Sequence, residues 1–314
     1  MKFTFKEGIG YCSGEFVPSS QLNVSVYESN LMFGDMVFEF TRSFNHKPFR
    51  LKQHLERLYA SIQICRIDPK MTIGRMEEVT YEVIDRNVHL FPEEMDFQIL
   101  HDVSRGILGT YRRLFDGNID PCVIIDVYPL DLHQAEVAPL YDTGVHAIIP
   151  RQMSVPARFI DPKLKNRSRL YYRIADLQAQ DVRPDGWSLL TDEDGFITEG
   201  TGSNVFIASN GELLTPEPRN VLRGVSRQMV MDLARKLEIP CSERNFEPYD
   251  VVTADEAFFT STRFCVMPVV SVDGHTIGSG EPGKLTRSLL NAWSDEVGVD
   301  IVEQAKSYAA MIGG

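Results

Sequence analysis

No stretch of this chain reaches the roughly 18 consecutive apolar residues of a membrane span, so no membrane-anchored architecture is expected. Cysteine is scarce. Cys12, Cys65, Cys122, Cys241 and Cys265 are scattered, odd in number and without a Cys-x-x-Cys pair. That argues against a disulfide framework and for free thiols in a reducing cytoplasm. The seven histidines show no His-Glu-x-x-His or similar spacing, so no metal site is expected. Positive charge is also short: 32 Lys and Arg against 44 Asp and Glu give a formal net charge of −12. The long-range field therefore repels nucleic acid and anionic membrane as partners. The opening Met1–Glu7 lacks the apolar core of a signal peptide. No internal repeat or low-complexity tract interrupts the chain.

What remains is the composition of a soluble globular protein, 43% hydrophobic and 24% charged, and 314 residues leave room for two domains. Leu22–Val26 alternates and is expected to pair with a strand over Val37–Phe44, before a turn at Asn45-His46-Lys47-Pro48. Leu51, Leu55, Leu58, Tyr59, Ile62 and Cys65 recur at helical spacing, and Met76, Val79, Val83 and Ile84 suggest a second helix ending before Phe91-Pro92. Phe97–Ser104 and Cys122–Tyr128 read as strands. The stretch from His133 to Pro139 has no clear period and reads as a connection. The domain expectation is therefore 1–132, a linker over 133–140, and 141–314. Beyond it, strands at Val145–Ile149, Trp187–Thr191, Phe196–Thr198, Ala257–Thr260 and Val266–Val270 alternate with helices at Arg169–Gln180 and Ser226–Leu237.

One run concentrates chemistry: Thr198-Glu199-Gly200-Thr201-Gly202-Ser203-Asn204-Val205-Phe206, then Leu213-Leu214-Thr215, then Leu222-Arg223-Gly224-Val225-Ser226-Arg227. It combines a carboxylate on a glycine-rich turn with a Gly-Val-Ser turn opening a helix. A phosphorylated, protonatable aromatic cofactor such as pyridoxal 5′-phosphate needs these parts. A lysine must bond its aldehyde and move protons. A carboxylate should face the ring nitrogen. The phosphate needs an arginine and backbone N–H groups at a helix N-terminus. Glu199 fits the carboxylate, and Val225 and Ser226 fit the helix start. Ser261 and Thr262, ending an apolar strand, could add hydroxyls. Arg57 sits on the first helix. Each also has a plain reading: a solvated turn glutamate, a serine N-cap, a threonine-rich strand, a surface ion pair. Lys163 and Lys165 share one basic loop, and neither charge nor periodicity separates them.

In order and spacing, this run resembles the signature of the class IV pyridoxal-phosphate aminotransferases. So do Phe33–Glu39, Phe49-Arg50-Leu51 with His54–Leu58, Ala254–Phe258, Pro268-Val269 and the turn at Asp273-Gly274. The resemblance covers roughly residues 22–290. It implies an α/β (α+β) two-domain chain of fold type IV, D-amino acid aminotransferase-like, with a small N-terminal and a larger C-terminal α/β domain. It also implies pyridoxal 5′-phosphate, a homodimer, and a site at the domain boundary. Carried over by position, Glu199 contacts the ring nitrogen, and Arg57, Val225, Ser226 and Thr262 hold the phosphate, beside Ser261 with its hydroxyl at the strand end. Lys165 precedes Glu199 by 34 residues, the spacing of branched-chain members. A Lys-x-x-Asn-Arg pattern, similar to that of the lyases, would select Lys163.

The chain departs from the family pattern where the substrate binds. Leu170 stands where branched-chain enzymes keep a tyrosine, with Tyr171 next, and Arg263-Phe264 follows the phosphate threonine. Arg42, Arg105, Arg112, Arg113 and Arg263 are candidates for the substrate carboxylate. Phe38 and Phe40, on one strand face, could line an apolar pocket. The expected activity is transamination between an amino acid, branched-chain-like or otherwise apolar, and a 2-oxo acid such as 2-oxoglutarate. The alternatives are a lyase that releases pyruvate from aminodeoxychorismate, and a D-amino acid or (R)-amine transaminase.

Overall fold

In the computed structural model the described residues are 7–313. Met1–Lys6, most of the opening without a leader-like core, lie outside them. The chain forms two compact units: residues up to Asp131 with Leu164–Arg169, and Leu132–Lys163 with Leu170 onward.

The first unit runs β1 (Ile9–Cys12), β2 (Glu15–Pro18), α1 (Ser29–Phe33), β3 (Val37–Phe44), β4 (Lys47–Pro48), α2 (Leu51–Cys65), α3 (Ile73–Asn87), β5 (Phe97–Val103) and β6 (Val123–Pro129). Its six-stranded sheet has the order β2-β1-β6-β5-β3-β4 and is antiparallel throughout. The β3–β4 turn holds Asn45 and His46 at φ of 50° and 60°, the left-handed pair that a two-residue hairpin loop requires. Leu51, Leu55, Leu58 and Ile62 of α2 and Met76, Val79 and Val83 of α3 are buried against Val37, Ile99, Ile125 and Val127. Period 3.6 meets period 2 along this seam.

Leu22–Val26 is not a strand, contrary to its alternation. The length of β3 is already occupied by β5, by β4 at Ser43 and Phe44, and by the 165–167 segment at its start. The strand it was expected to join is paired with other segments, and Val26 is 76% exposed.

The second unit runs α4 (Asp131–Val137, whose first residue counts with the first unit), α5 (Leu140–Thr143), β7 (Val145–Ile148), α6 (Leu170–Val182), β8 (Gly186–Thr191), β9 (Ile197–Gly200), β10 (Ser203–Ser209), β11 (Glu212–Thr215), α7 (Val225–Lys236), β12 (Cys241–Glu243), α8 (Pro248–Val252), β13 (Glu256–Ser261), β14 (Cys265–Val272), β15 (His275–Thr276), α9 (Lys284–Val297) and α10 (Ile301–Gly313). The stretch from His133 to Pro139 is thus mostly helical. Its Gln134 is buried and bonds the Arg263 carbonyl, a polar contact that masks any apolar period.

Strands β10, β13, β14, β7, β8 and β9 pair in that order, and β9 pairs back to β10. The ring is closed, which removes open edges. Only β14–β7 and β7–β8 are parallel within it. Phe206 and Phe258 are fully buried and stacked, ring centroids 5.1 Å apart. Helix α7 packs on β13, and α9 covers α7, β13 and β14 with Leu289, Leu290 and Trp293 buried.

Candidate active site

In the second unit a row of side chains runs across three strand ends. Glu199 on β9 pairs with Asn204 on β10, and Asn204 pairs with Thr260 on β13. Glu199 is 4% exposed. Its Oε1 accepts from the Tyr172 hydroxyl at 2.7 Å. Its Oε2 accepts from Asn204 Nδ2 at 3.2 Å and from the Leu222 backbone N–H at 2.9 Å. A buried carboxylate must be met by donors, and these fix both of its oxygens.

Asn204 also donates to the Leu222 carbonyl at 2.9 Å, so it ties the Glu199 strand to the segment entering α7. A Cβ on Gly224 would lie 2.1 Å from Asn204 Oδ1, so any side chain there would have to displace Asn204. Gly224 then caps α7 in an extended conformation, and Val225 and Ser226 open the helix, both buried. The first N–H groups of a helix lack intrahelical acceptors and favour an anion. Ser261, next to Thr260, has a buried hydroxyl without a partner. An orphaned buried hydroxyl, a helix N-terminus and a fixed carboxylate at one end of the ring fit a ring-and-phosphate cofactor.

Thr215 and Arg227 of the same sequence run act structurally. Arg227 is buried, donates to Thr215 Oγ1 at 3.2 Å and to the Pro216 carbonyl at 2.8 Å, and pairs with Glu243 at 2.7 Å. Thr215 Oγ1 donates to the Val205 carbonyl. Together they pin the first turn of α7 against β11.

In the first unit the segment Leu164–Arg169 adds to the start of β3. The Phe38 N–H donates to the Lys165 carbonyl at 3.0 Å, the Arg167 N–H to the Met36 carbonyl at 2.8 Å, and Val37 bridges Asn166. Side chains alternate across such a segment, and those of 165, 167 and 169 meet the Phe38 ring. Lys165 Nζ, Arg167 Cζ and Arg169 Cζ lie 4.6, 4.0 and 5.1 Å from its centroid. Phe38 and Phe40 share this face, as their alternation implies, at 5.4 Å. Arg167 is held bidentate by Asp102 at 2.9 Å for both bonds. Burial raises the Asp102 carboxyl above its ordinary value, against the opposing pull of Arg167.

The other candidates have different surroundings. Lys163 pairs with Asp161 at 2.8 Å in the second unit. Arg42 is 1% exposed, its guanidinium 3.9 Å over the Phe44 ring. Arg105 bonds Asp35 at 2.9 Å and the carbonyls of Cys65 and Arg66. Arg112 and Arg113 are exposed on a short 3-10 segment, Gly109–Phe115, and Arg263 is exposed in the β13–β14 turn. Sequence reasoning missed Tyr172 and Arg169, and gave no role of their own to Asn204 and Arg167, which lie within the motifs it singled out. Tyr172 was legible as an inward position with Ala175 and Ala179, at helical spacing on α6.

Residues 36–272 match the family model of the class IV aminotransferases. The chain is 33% identical over 288 residues to a protein of Methanocaldococcus jannaschii that bears a provisional branched-chain-amino-acid aminotransferase name, covering 91% of this chain and 95% of that one. It is 29% identical over 286 residues to the D-alanine aminotransferase of Bacillus licheniformis, covering 91% and 95%. The Escherichia coli branched-chain amino acid aminotransferase superposes with a TM-score of 0.83 at 26% identity, over 92% of this chain and 94% of that one. A second branched-chain amino acid aminotransferase, complexed with N-(5′-phosphopyridoxyl)-L-glutamate, superposes at 0.81 with 25% identity, over 98% of each chain. The chain belongs to the class IV aminotransferases, with their fold type IV architecture. It is a pyridoxal-phosphate-dependent transaminase.

Proposed function

We propose that the chain moves the amino group of a branched-chain-like or other apolar amino acid to a 2-oxo acid such as 2-oxoglutarate. Lys165 is the lysine that bonds the cofactor, and Glu199 faces its ring nitrogen. Arg57, Val225, Ser226, Ser261 and Thr262 hold its phosphate. The observation that carries the reading is the Glu199–Asn204–Thr260 row beside the Gly224–Ser226 helix start, where a fixed carboxylate and unsatisfied donors occur together.

Bound pyridoxal phosphate supplies an electron sink for negative charge at the substrate α-carbon. Glu199 stabilises positive charge opposite its buried oxygens. Lys165 Nζ removes the α-proton. Phe38 and Phe40 offer an apolar surface to the substrate side chain. Arg167 and Arg169, rather than Arg105 or Arg112, supply cations next to Lys165 for a substrate carboxylate. We also infer a homodimer, supported by the exposed apolar side chains of Leu31, Met32, Phe33 and Leu114. Five free cysteines support a cytoplasmic setting. Among the described residues, no helix is long and apolar enough to cross a membrane.

A second reading, turnover of D-amino acids, is favoured by the similarity to the D-alanine aminotransferase. Half-reactions of the purified enzyme with L-leucine, L-valine and D-alanine, followed by cofactor absorbance, separate the two. Conversion by the branched-chain L-amino acids supports the first reading. Conversion by D-alanine alone transfers it to the second.

A further inference from the structure

Glu39 is fully buried on the face of β3 that meets α2. Arg57 on α2 grips it side-on, Nε to Oε2 and Nη2 to Oε1, both at 2.7 Å. Burial works against the Glu39 carboxylate, but the Arg57 charge, then His54 and the bonds from both, outweigh that and hold the carboxyl far below its usual range. His54, one turn before Arg57, places Nδ1 3.4 Å from the same Oε2. Burial pushes the His54 imidazole down, against the opposing pull of Glu39. His101 faces Glu39 from β5 and is pushed down by burial to about 4. The Arg57–Glu39 pair, with two bonds of 2.7 Å, is the tightest charged contact of this cluster.

The geometry of the pair has a directional consequence. A guanidinium is planar and carries five N–H donors in a fixed fork. A side-on carboxylate takes Nε–H and one N–H of Nη2. Fixing that edge fixes the plane, and with it the direction of the N–H groups at the end of the fork, away from Glu39. We infer that Glu39 is a positioning residue: it aims the end of the Arg57 fork at the cofactor phosphate and makes Arg57 a directed donor rather than a diffuse cation. This rests on the reading above that Arg57 binds that phosphate. It assigns to Glu39 a part in cofactor selection that a purely structural ion pair would not have.

The test compares binding of pyridoxal 5′-phosphate with binding of pyridoxal, which lacks the phosphate, to cofactor-stripped full-length enzyme. Glu39→Gln is expected to lower the ratio of the two affinities at least about tenfold, by weakening the phosphorylated ligand alone. Loss of both affinities together, or an unchanged ratio, would overturn the inference. Arg57→Ala is the control: if it leaves the ratio unchanged, the assignment of Arg57 itself fails, and the inference with it. If Arg57→Ala lowers the ratio while Glu39→Gln does not, only the inference fails. Should Glu39→Gln not fold, Arg57→Lys tests the same pair, because it keeps a cation but lacks the side-on fork. It is expected to lower the ratio as well, and a wild-type ratio would overturn the inference.

Discussion

Glu199 keeps a carboxylate in the interior because Tyr172, Asn204 and the Leu222 N–H meet it there. Tyr172→Phe removes one donor to a buried charged acceptor and is expected to cost about 1–3 kcal/mol of stability. Urea denaturation measures this, and a midpoint equal to wild type would contradict it. Gly224→Ala acts through space rather than backbone strain, since φ at Gly224 is −63° and the added Cβ would meet Asn204 Oδ1 at 2.1 Å, with Arg227 Cβ next at 3.2 Å. Displacing Asn204 disturbs Glu199 and the α7 entry at once. A loss of cofactor affinity of about tenfold, or about 1.4 kcal/mol, is expected by equilibrium titration.

At the scale of elements, α7 is positioned by its first turn. Arg227 bonds Thr215, Pro216 and Glu243 from a buried position. Arg227→Met leaves the Thr215 and Pro216 acceptors without their donor, while Glu243 stays open to water, and is expected to destabilise the second unit by about 1–3 kcal/mol. Thermal melting checks the loss, and an unchanged melt would contradict this account of Arg227. Much of this was legible in the sequence. The strands of the ring, the α7 amphipathic period and the Asn45-His46 turn announce themselves through local spacing and turn chemistry. What was not legible depends on long-range pairing. Leu22–Val26 alternates like a strand, but β3 pairs with β5, β4 and the 165–167 segment instead. Residues 165–169 look like a basic loop, and only their attachment to the start of β3 turns Arg167 and Arg169 toward Phe38. Arg105, a candidate on sequence alone, spends its guanidinium on Asp35 and two carbonyls, which nothing local predicts.

For the whole molecule, the buried histidines of the first unit set a pH limit. His101 is pushed down by burial to about 4, against about 6.5 when unfolded, and His54 is shifted in the same direction. Between those values the unfolded chain binds protons that the native state refuses, so stability falls as pH drops from about 6.5 toward about 4. His101 alone accounts for about 3 kcal/mol of that loss. Glu39 contributes in the same direction only at lower pH, because its folded carboxyl lies far below the unfolded value. Denaturation midpoints at pH 7 and pH 5 are expected to differ clearly, and His101→Phe to flatten the difference. A midpoint constant over that range would contradict the burial argument.

The central claim is that Lys165, not Lys163, carries the cofactor. Borohydride reduction of the cofactor-loaded enzyme followed by proteolysis and mass spectrometry reads this directly. The account expects the phosphopyridoxyl mass on Lys165, and Lys163→Ala to keep both the label and amino transfer while Lys165→Ala loses transfer at least about a hundredfold. The label on Lys163, or Lys165→Ala retaining turnover, would contradict it.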